Sequence, residues 1–346
     1  MVTAPTPAQP PAIAGPTSPG RRAVIQVEHV SKKFGDTMGV EDVSFEVYEG
    51  EIFGFIGPSG SGKTTTMRLL NGIYTPTEGK VRLLGTDPAH PTRALHEGFG
   101  YMPQQFVLYP NLTVYENLNF MAGVYGLGWR ERRKQIDTLL GFVELTEARN
   151  RLAANISGGM QRRLELAASL IHNPRLLFVD EPTAGIDPVL RGKFWDEFRR
   201  LRDSGRTIFV TTQYVGESEY CDRVGVIRKG KLLALGTPLE LRRIAMQGDI
   251  VDLEAPDLSP TAIKAVLTQP FVITNQGKPV YSWERSANNA PVLRVHVAQA
   301  SEAIPLMMQA LQGAGVTATA VQEYRPTFDE VFIQLMGDLD DSVNAE

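Results

Sequence analysis

The sequence predicts an α/β core, interrupted by a helical insertion and followed by a small α+β domain. Three observations point there. Short apolar runs of strand length alternate with helical periodicity over the first two thirds of the chain. A helix-patterned block from about Gly98 to Asn155 breaks that alternation, and from about Asp249 the segments turn shorter and more mixed.

The elements follow in order. Ala23 to Val30 and Val43 to Val47 alternate apolar and polar residues, as half-buried strands do. Glu51 to Ile56 is nearly all apolar, as a strand covered on both faces should be. A helix through Thr66, Met67, Leu69, Leu70 and Ile73 is expected next, ending between Gly72 and Pro76. Within the insertion, Thr113-Val114-Tyr115-Glu116 has the spacing of a capping box, and Ile136, Leu139, Leu140 and Val143 keep a 3.6-residue period. Alternation returns with a strand at Leu176 to Val179, a helix over Val189 to Arg202, and strands at Thr207 to Val210 and Val224 to Ile227. A turn at Arg228-Lys229-Gly230-Lys231 then leads into Leu232 to Leu235. The last third offers strands at Ile250 to Leu253, Val292 to Val297 and Val316 to Val321, helices at Pro260 to Leu267, Glu302 to Leu311 and Thr327 to Met336, and a turn at Asn275-Gln276-Gly277-Lys278. The expected division is a disordered Pro-rich tail over 1–22, a first domain over 23–246 with its helical part at about 98–165, and a second domain over 247–340.

Composition narrows the function. The chain has 346 residues, 42% hydrophobic and 21% charged, with a net charge of −4. The weak negative charge argues against a nucleic-acid binder, so no nucleic-acid partner is expected. Cys221 is the only cysteine, which excludes an internal disulfide and a cysteine metal cage. No apolar run approaches the ~18 residues that span a bilayer. The first twenty residues hold six prolines and no apolar core, so a tail is expected there and not a signal peptide. Action at a membrane would then require docking to another chain.

Two motifs carry chemistry. Gly57-Pro58-Ser59-Gly60-Ser61-Gly62-Lys63-Thr64 fits G-x-x-x-x-G-K-[ST], between an apolar strand and a helix. Glycines let backbone N–H groups converge on phosphate oxygens, and the helix N-terminus adds partial positive charge. Lys63 is expected at the β- and γ-phosphates and the Thr64 hydroxyl on Mg²⁺. In Leu176-Leu177-Phe178-Val179-Asp180-Glu181, two acids end an apolar strand. Asp180 suits Mg²⁺, and Glu181 suits the polarisation of an attacking water. A solvated Asp-Glu loop is the alternative if that pair stood alone.

With the phosphate loop, Ile156-Ser157-Gly158-Gly159-Met160-Gln161 resembles the signature motif of ABC ATPases. The resemblance spans about Ala23 to Arg243 and implies a P-loop NTPase (RecA-like) core with a helical ABC subdomain, plus the small α+β C-terminal domain. It implies Mg·ATP as ligand, with Thr65 among the nucleotide contacts. Gln104 in Tyr101-Met102-Pro103-Gln104 resembles the Q-loop glutamine, serving both catalysis and metal. Ala184-Gly185-Ile186-Asp187 resembles the D-loop, and Phe34 the aromatic that stacks on adenine. In the family, Ser157, Gly158 and Gly159 meet the nucleotide of a second subunit, so a head-to-tail dimer, a homodimer by preference, is implied. Ser157 on its own would sooner be read as a plain helix cap. Met160 at the fifth signature position resembles the daunorubicin/doxorubicin-resistance drug-export branch, and Phe328-Asp329-Glu330-Val331-Phe332 resembles the end of such subunits.

Gln213, after Thr207 to Val210 and two threonines, stands where most of the family has a histidine. Its amide can donate a hydrogen bond but cannot titrate. It is expected either to position phosphate or to be a tolerated surface residue. The implied function is an ATP-hydrolysing subunit that powers export through a separate integral membrane permease, at the cytoplasmic face of the cell membrane. Leu108 to Thr113 is the candidate contact with that permease, or else a loop packing within the insertion. A non-transport ATPase and a nutrient-importer subunit are the competing readings. The first lacks the long coiled-coil insertion or second phosphate loop such proteins carry, and the second generally keeps the missing histidine.

Overall fold

The computed structural model describes residues 20–255, 258–275, 277–285 and 291–343, with no side-chain description beyond 336. The expected tail lies outside the described residues except for 20–22, as does Gln276 of the expected turn. The chain divides into two compact units, Met1–Thr237 and Pro238–Glu346. That division falls one helix before the expected 246/247 boundary.

The first unit begins with β1 (Ala23–Phe34), β2 (Thr37–Tyr48), β3 (Ile52–Ile56), α1 (Lys63–Leu70), β4 (Glu78–Leu83), α2 (Arg93–Gly98) and β5 (Phe99–Met102). The helical insertion is α3 (Val114–Val124), α4 (Trp129–Phe142) and α5 (Gly158–Ser169). Then come β6 (Leu176–Asp180), α6 (Pro188–Asp203), β7 (Thr207–Thr212), β8 (Arg223–Arg228) and β9 (Lys231–Gly236). The expected start of the insertion at 98 needs correction. Phe99–Met102 is a strand, pairing in parallel with β6 from Phe99↔Leu176 to Met102↔Val179. Four residues with a glycine among them are too short to show a period, and only the sheet makes them a strand.

The main sheet runs β5-β6-β7-β3-β8-β9, parallel except for β9, with β3 inside. Every residue of β3, β6 and β7 is buried, which is why their centres, Ile52 to Ile56, Leu176 to Val179 and Ile208 to Val210, read as apolar runs. A second, antiparallel sheet, β2-β1-β4, shares one core with it. Phe45 stacks on Phe53 at 5.5 Å, and Phe53 on Phe209 at 5.6 Å. Such rings bury much apolar area each and fix the two sheets face to face. Because β6, β7 and β3 are parallel neighbours, the loops after Asp180, Thr212 and Ile56 all leave at their carboxyl edge. Open parallel sheets bind ligands at that edge.

One buried acid in this unit sets a pH dependence. Glu197 on α6 is only 5% exposed, between the buried Phe194, Trp195, Phe198 and Leu201. Burial pushes its carboxyl up to about 7, against the opposing charge of Arg163 and with Glu144, Arg200 and Lys193 also near. The folded state thus holds this proton more tightly than the unfolded chain does. The stabilisation is full below the ordinary carboxylate range near 4.5 and is lost as pH rises to about 7. Glu197→Gln should therefore raise the unfolding free energy at pH 8 by on the order of 3 kcal/mol and change it little at pH 5. Urea unfolding at both pH values checks this, and an equal effect at both would contradict it.

The second unit contains α7 (Pro238–Met246), β10 (Asp249–Glu254), α8 (Pro260–Leu267), β11 (Thr274–Asn275), β12 (Lys278–Pro279), β13 (Tyr281–Arg285), β14 (Pro291–Val297), α9 (Ala300–Gly313), β15 (Ala320–Tyr324) and α10 (Phe328–Val343). Its antiparallel sheet runs β13-β14-β10-β15. Val251, Leu253, Leu293 and Val295 share a core with Ala262 and Val266 of α8 and Ala303 and Met307 of α9. The strand expected at Val316 to Val321 lies at Ala320–Tyr324 instead. Val316 spends its N–H on the Leu311 carbonyl, ending α9, and pairing begins at Ala320↔Glu254. Among the described residues no helix is long and apolar enough to cross a membrane.

Candidate active site

The phosphate loop is built on close approaches that only glycine permits. A Cβ at Gly57 would lie 2.2 Å from the Ile227 carbonyl oxygen. Gly62, which precedes α1, has φ +112° and would clash with the Gly39 oxygen at 2.9 Å. Gly39 is itself hemmed in: its Cβ would lie 2.8 Å from a Phe34 ring carbon and 3.2 Å from the Thr65 methyl. Phe34 therefore stands beside the start of α1. It packs edge-on to Tyr74 at 5.1 Å, with Lys32 Nζ 5.3 Å from its ring centre.

Lys63 folds back over the loop. Its Nζ donates to the carbonyls of Gly57 at 2.8 Å and Pro58 at 3.0 Å, and lies 3.4 Å from Glu181 Oε1. The other oxygen of Glu181 accepts from Gln104 Nε2 at 2.9 Å. The two motifs read from sequence and Gln104 thus meet on one carboxylate. Glu181 is held there in a left-handed conformation, φ +45°, by its N–H to the Thr211 carbonyl at 3.0 Å. Asp180 accepts from the Thr211 hydroxyl. Beside it the Tyr101 phenol is pushed up to about 12, by burial first and then by the Asp180 charge.

The donor set suits a magnesium-bound triphosphate. The Ser61 hydroxyl is buried in the cradle with no hydrogen-bond partner among the described residues. Thr64 lies exposed in the first turn of α1 and Thr65 half-buried beside it, while Pro58, Ser59 and Gly60 are open to solvent. Gly60 has φ +75°. A lysine, two acids and a hydroxyl around a glycine-lined loop are hard oxygen and cationic groups, which match phosphate and Mg²⁺.

The other expected residues lie at helix starts and at the end of β7. Ser157 caps α5, its hydroxyl accepting from the Met160 N–H at 3.3 Å. Gly158 is exposed, and a Cβ at Gly159 would meet Leu190 Cδ2 at 2.2 Å. Asp187 caps α6, accepting from the N–H groups of Val189 and Leu190, both at 3.0 Å. Gln213 directly follows β7 and is exposed.

A family model described as ABC transporter matches residues 40–184. The daunorubicin resistance ATP-binding protein DrrA3 of Streptomyces coeruleorubidus is 36% identical over 91% of this chain and 96% of its own length. The chain belongs to the ATP-binding proteins of ABC transporters. Among other members, the probable multidrug ABC transporter ATP-binding protein YbhF of Escherichia coli is 42% identical over 79% of this chain. The chain spans 44% of that relative's length. Of solved structures, a dimeric ATP-binding cassette in a post-hydrolysis state with ADP and Pi aligns with a TM-score of 0.56. It is 27% identical and covers 61% of this chain and 97% of its own.

Within this ABC ATP-binding protein, Arg162 is the site residue that sequence reasoning missed. It is buried on α5 and donates to the carbonyls of Pro103 at 2.7 Å, Glu181 at 2.9 Å and Pro182 at 3.3 Å, and to Glu165 Oε2 at 2.8 Å. One guanidinium therefore ties the signature helix to the segments bearing Gln104 and Glu181. An arginine three residues before a glutamate on a helix signals only a surface pair. Nothing local reveals that both are buried.

Proposed function

We propose that this chain hydrolyses ATP to power export through a separate integral membrane permease at the cytoplasmic face of the cell membrane, as one half of a homodimer of nucleotide-binding subunits. The observation that carries the reading is the meeting of Lys63, Glu181 and Gln104 on one carboxylate at the carboxyl edge of the sheet.

The residue roles follow from placement. The backbone of Gly57 to Gly62, with Lys63 and Thr65, would hold the phosphates, and Phe34 the adenine. Thr64, Asp180 and Gln104 would hold Mg²⁺. When bound, the metal neutralises charge on the phosphate oxygens. Glu181, released from Lys63, takes the proton of the attacking water. Ser157, Gly158 and Asp187, which are exposed, and the half-buried Gly159 would serve the nucleotide of a second subunit. The dimeric cassette among the solved relatives supports that arrangement.

The contact with the permease falls on the segment after Gln104. Val107 and Tyr109 are 65% and 50% exposed, and Tyr109 packs edge-on to the exposed Phe120 at 5.0 Å. Asn117 holds this surface rigid, bonding both the N–H and the carbonyl of Tyr109. Leu108, within the expected stretch, is buried and serves the core. Exposed apolar groups on a pinned loop suit a protein partner.

Purified protein should release phosphate from Mg·ATP and dimerise with an unhydrolysable analogue. Absence of both would overturn the reading. Gln213→Ala should lower kcat about tenfold, the worth of one hydrogen bond to a charged group. Gln213 contributes no titration, so the pH–rate profile of the variant should keep the shape of the parent's. Full activity in the variant would make Gln213 a plain surface residue.

A further inference from the structure

The three segments bearing Glu181, Asp187 and Gln213 end in one buried cluster. Thr183, two residues beyond Glu181, is fully buried and donates its hydroxyl to Glu217 Oε1 at 2.5 Å. Glu217 is 2% exposed, in the tight helical turn Val215–Tyr220 that follows Gln213. Its N–H bonds the Tyr214 carbonyl at 3.1 Å, and the Tyr214 N–H bonds the Thr212 hydroxyl at 3.0 Å. Arg191 lies one turn into α6, its own N–H on the Asp187 carbonyl at 2.9 Å. It brings Nε to 3.6 Å from Glu217 Oε1 and lays its guanidinium 4.4 Å from the Tyr214 ring centre.

A carboxylate this buried costs several kcal/mol unless a cation answers it, so the cluster is not a solvated face. Neither is the pair fully closed. Glu217 Oε2 and Arg191 Nε are buried without hydrogen bonds among the described residues, and 3.6 Å is beyond hydrogen-bond length. The grip can therefore tighten or loosen with the position of α6. This matters because Gln213 is neutral. A charged side chain would be drawn to phosphate from a distance, whereas an amide works only if its backbone is held in place.

We propose that Arg191 is a positioning residue. It couples the Asp187 end of α6, through Tyr214 and Glu217, to the placement of Gln213, while Thr183 ties the same cluster to the Glu181 segment. The proposal rests on the ATPase reading above.

The test is a double-mutant cycle in the full-length protein, reading kcat and KM for Mg·ATP. Arg191→Met should lower kcat about tenfold with KM within about twofold, because misplacement of a group that acts in the transition state costs turnover before binding. In the Gln213→Ala background the same change should cost nothing further. Arg191→Lys should recover little, since an ammonium lacks the planar face that lies on Tyr214. Tyr214→Leu, which keeps the Arg191–Glu217 pair, should show the same non-additive loss and serves if Arg191→Met fails to fold. Losses that multiply with Gln213→Ala, or an unchanged kcat in Arg191→Met, would overturn the proposal while the wild type still turns over. A wild type that hydrolyses no ATP would overturn the ATPase reading instead.

Discussion

Glu181→Gln is expected to lower kcat by about 10²–10⁴-fold, the range a positioned general base contributes. Shape is retained and the basic oxygen is lost. The amide can still accept from Gln104, which bonds Glu181 Oε2 at 2.9 Å, but it no longer answers the Lys63 ammonium 3.4 Å from Oε1. Lys63 keeps its bonds to the Gly57 and Pro58 carbonyls, so the loop should stay formed. Affinity for Mg·ATP should therefore be kept or improved, and the nucleotide-bound dimer should persist because it cannot turn over. Phosphate release, nucleotide binding and size-exclusion chromatography with ATP measure the three effects. A rate within about twofold of the wild type would remove Glu181 as the base.

The second large effect is structural. Arg162→Met should destabilise the protein by about 3–5 kcal/mol. The change leaves the Pro103, Glu181 and Pro182 carbonyls without this donor and strips the cation from Glu165. Glu165 is 3% exposed, its carboxyl is pushed up by burial, and it also holds the Val107 N–H at 3.0 Å. Urea unfolding should show a lower midpoint with an unchanged slope. Turnover per folded molecule should fall as well, since the segments carrying Gln104 and Glu181 lose a shared anchor. A loss below about 1 kcal/mol would mean that the guanidinium is readily replaced by water.

Much of this was legible in the sequence, and the rest was not, for definite reasons. The phosphate loop could be read because its glycines answer steric demands that recur wherever a backbone wraps phosphate. β3, β6 and β7 showed themselves as apolar runs because both faces are covered. The Thr113–Glu116 capping box formed as expected, both of its hydrogen bonds being present. β4, Glu-Gly-Lys-Val-Arg-Leu, was invisible because only Val81 and Leu83 are buried. β13 was invisible because all five of its residues are exposed, Tyr281 and Trp283 included. The expected boundary at 246/247 puts residues 238–246 in the first domain, yet they form the helix Pro238–Met246 of the second unit. Arg162 and Arg191 carry no local signal, because an arginine acquires such a role only from what the fold brings round it.

The left-handed backbone at Glu181 has a consequence for sequence variation. With φ +45°, this position penalises every side chain with a Cβ by about 1–2 kcal/mol, and β-branched ones most. A saturation library at position 181 should therefore rank fold robustness with glycine first and asparagine next, and with valine and isoleucine last. Ranked by turnover, the same library should leave the acid alone at the top. At this one codon, durability and catalysis pull in opposite directions.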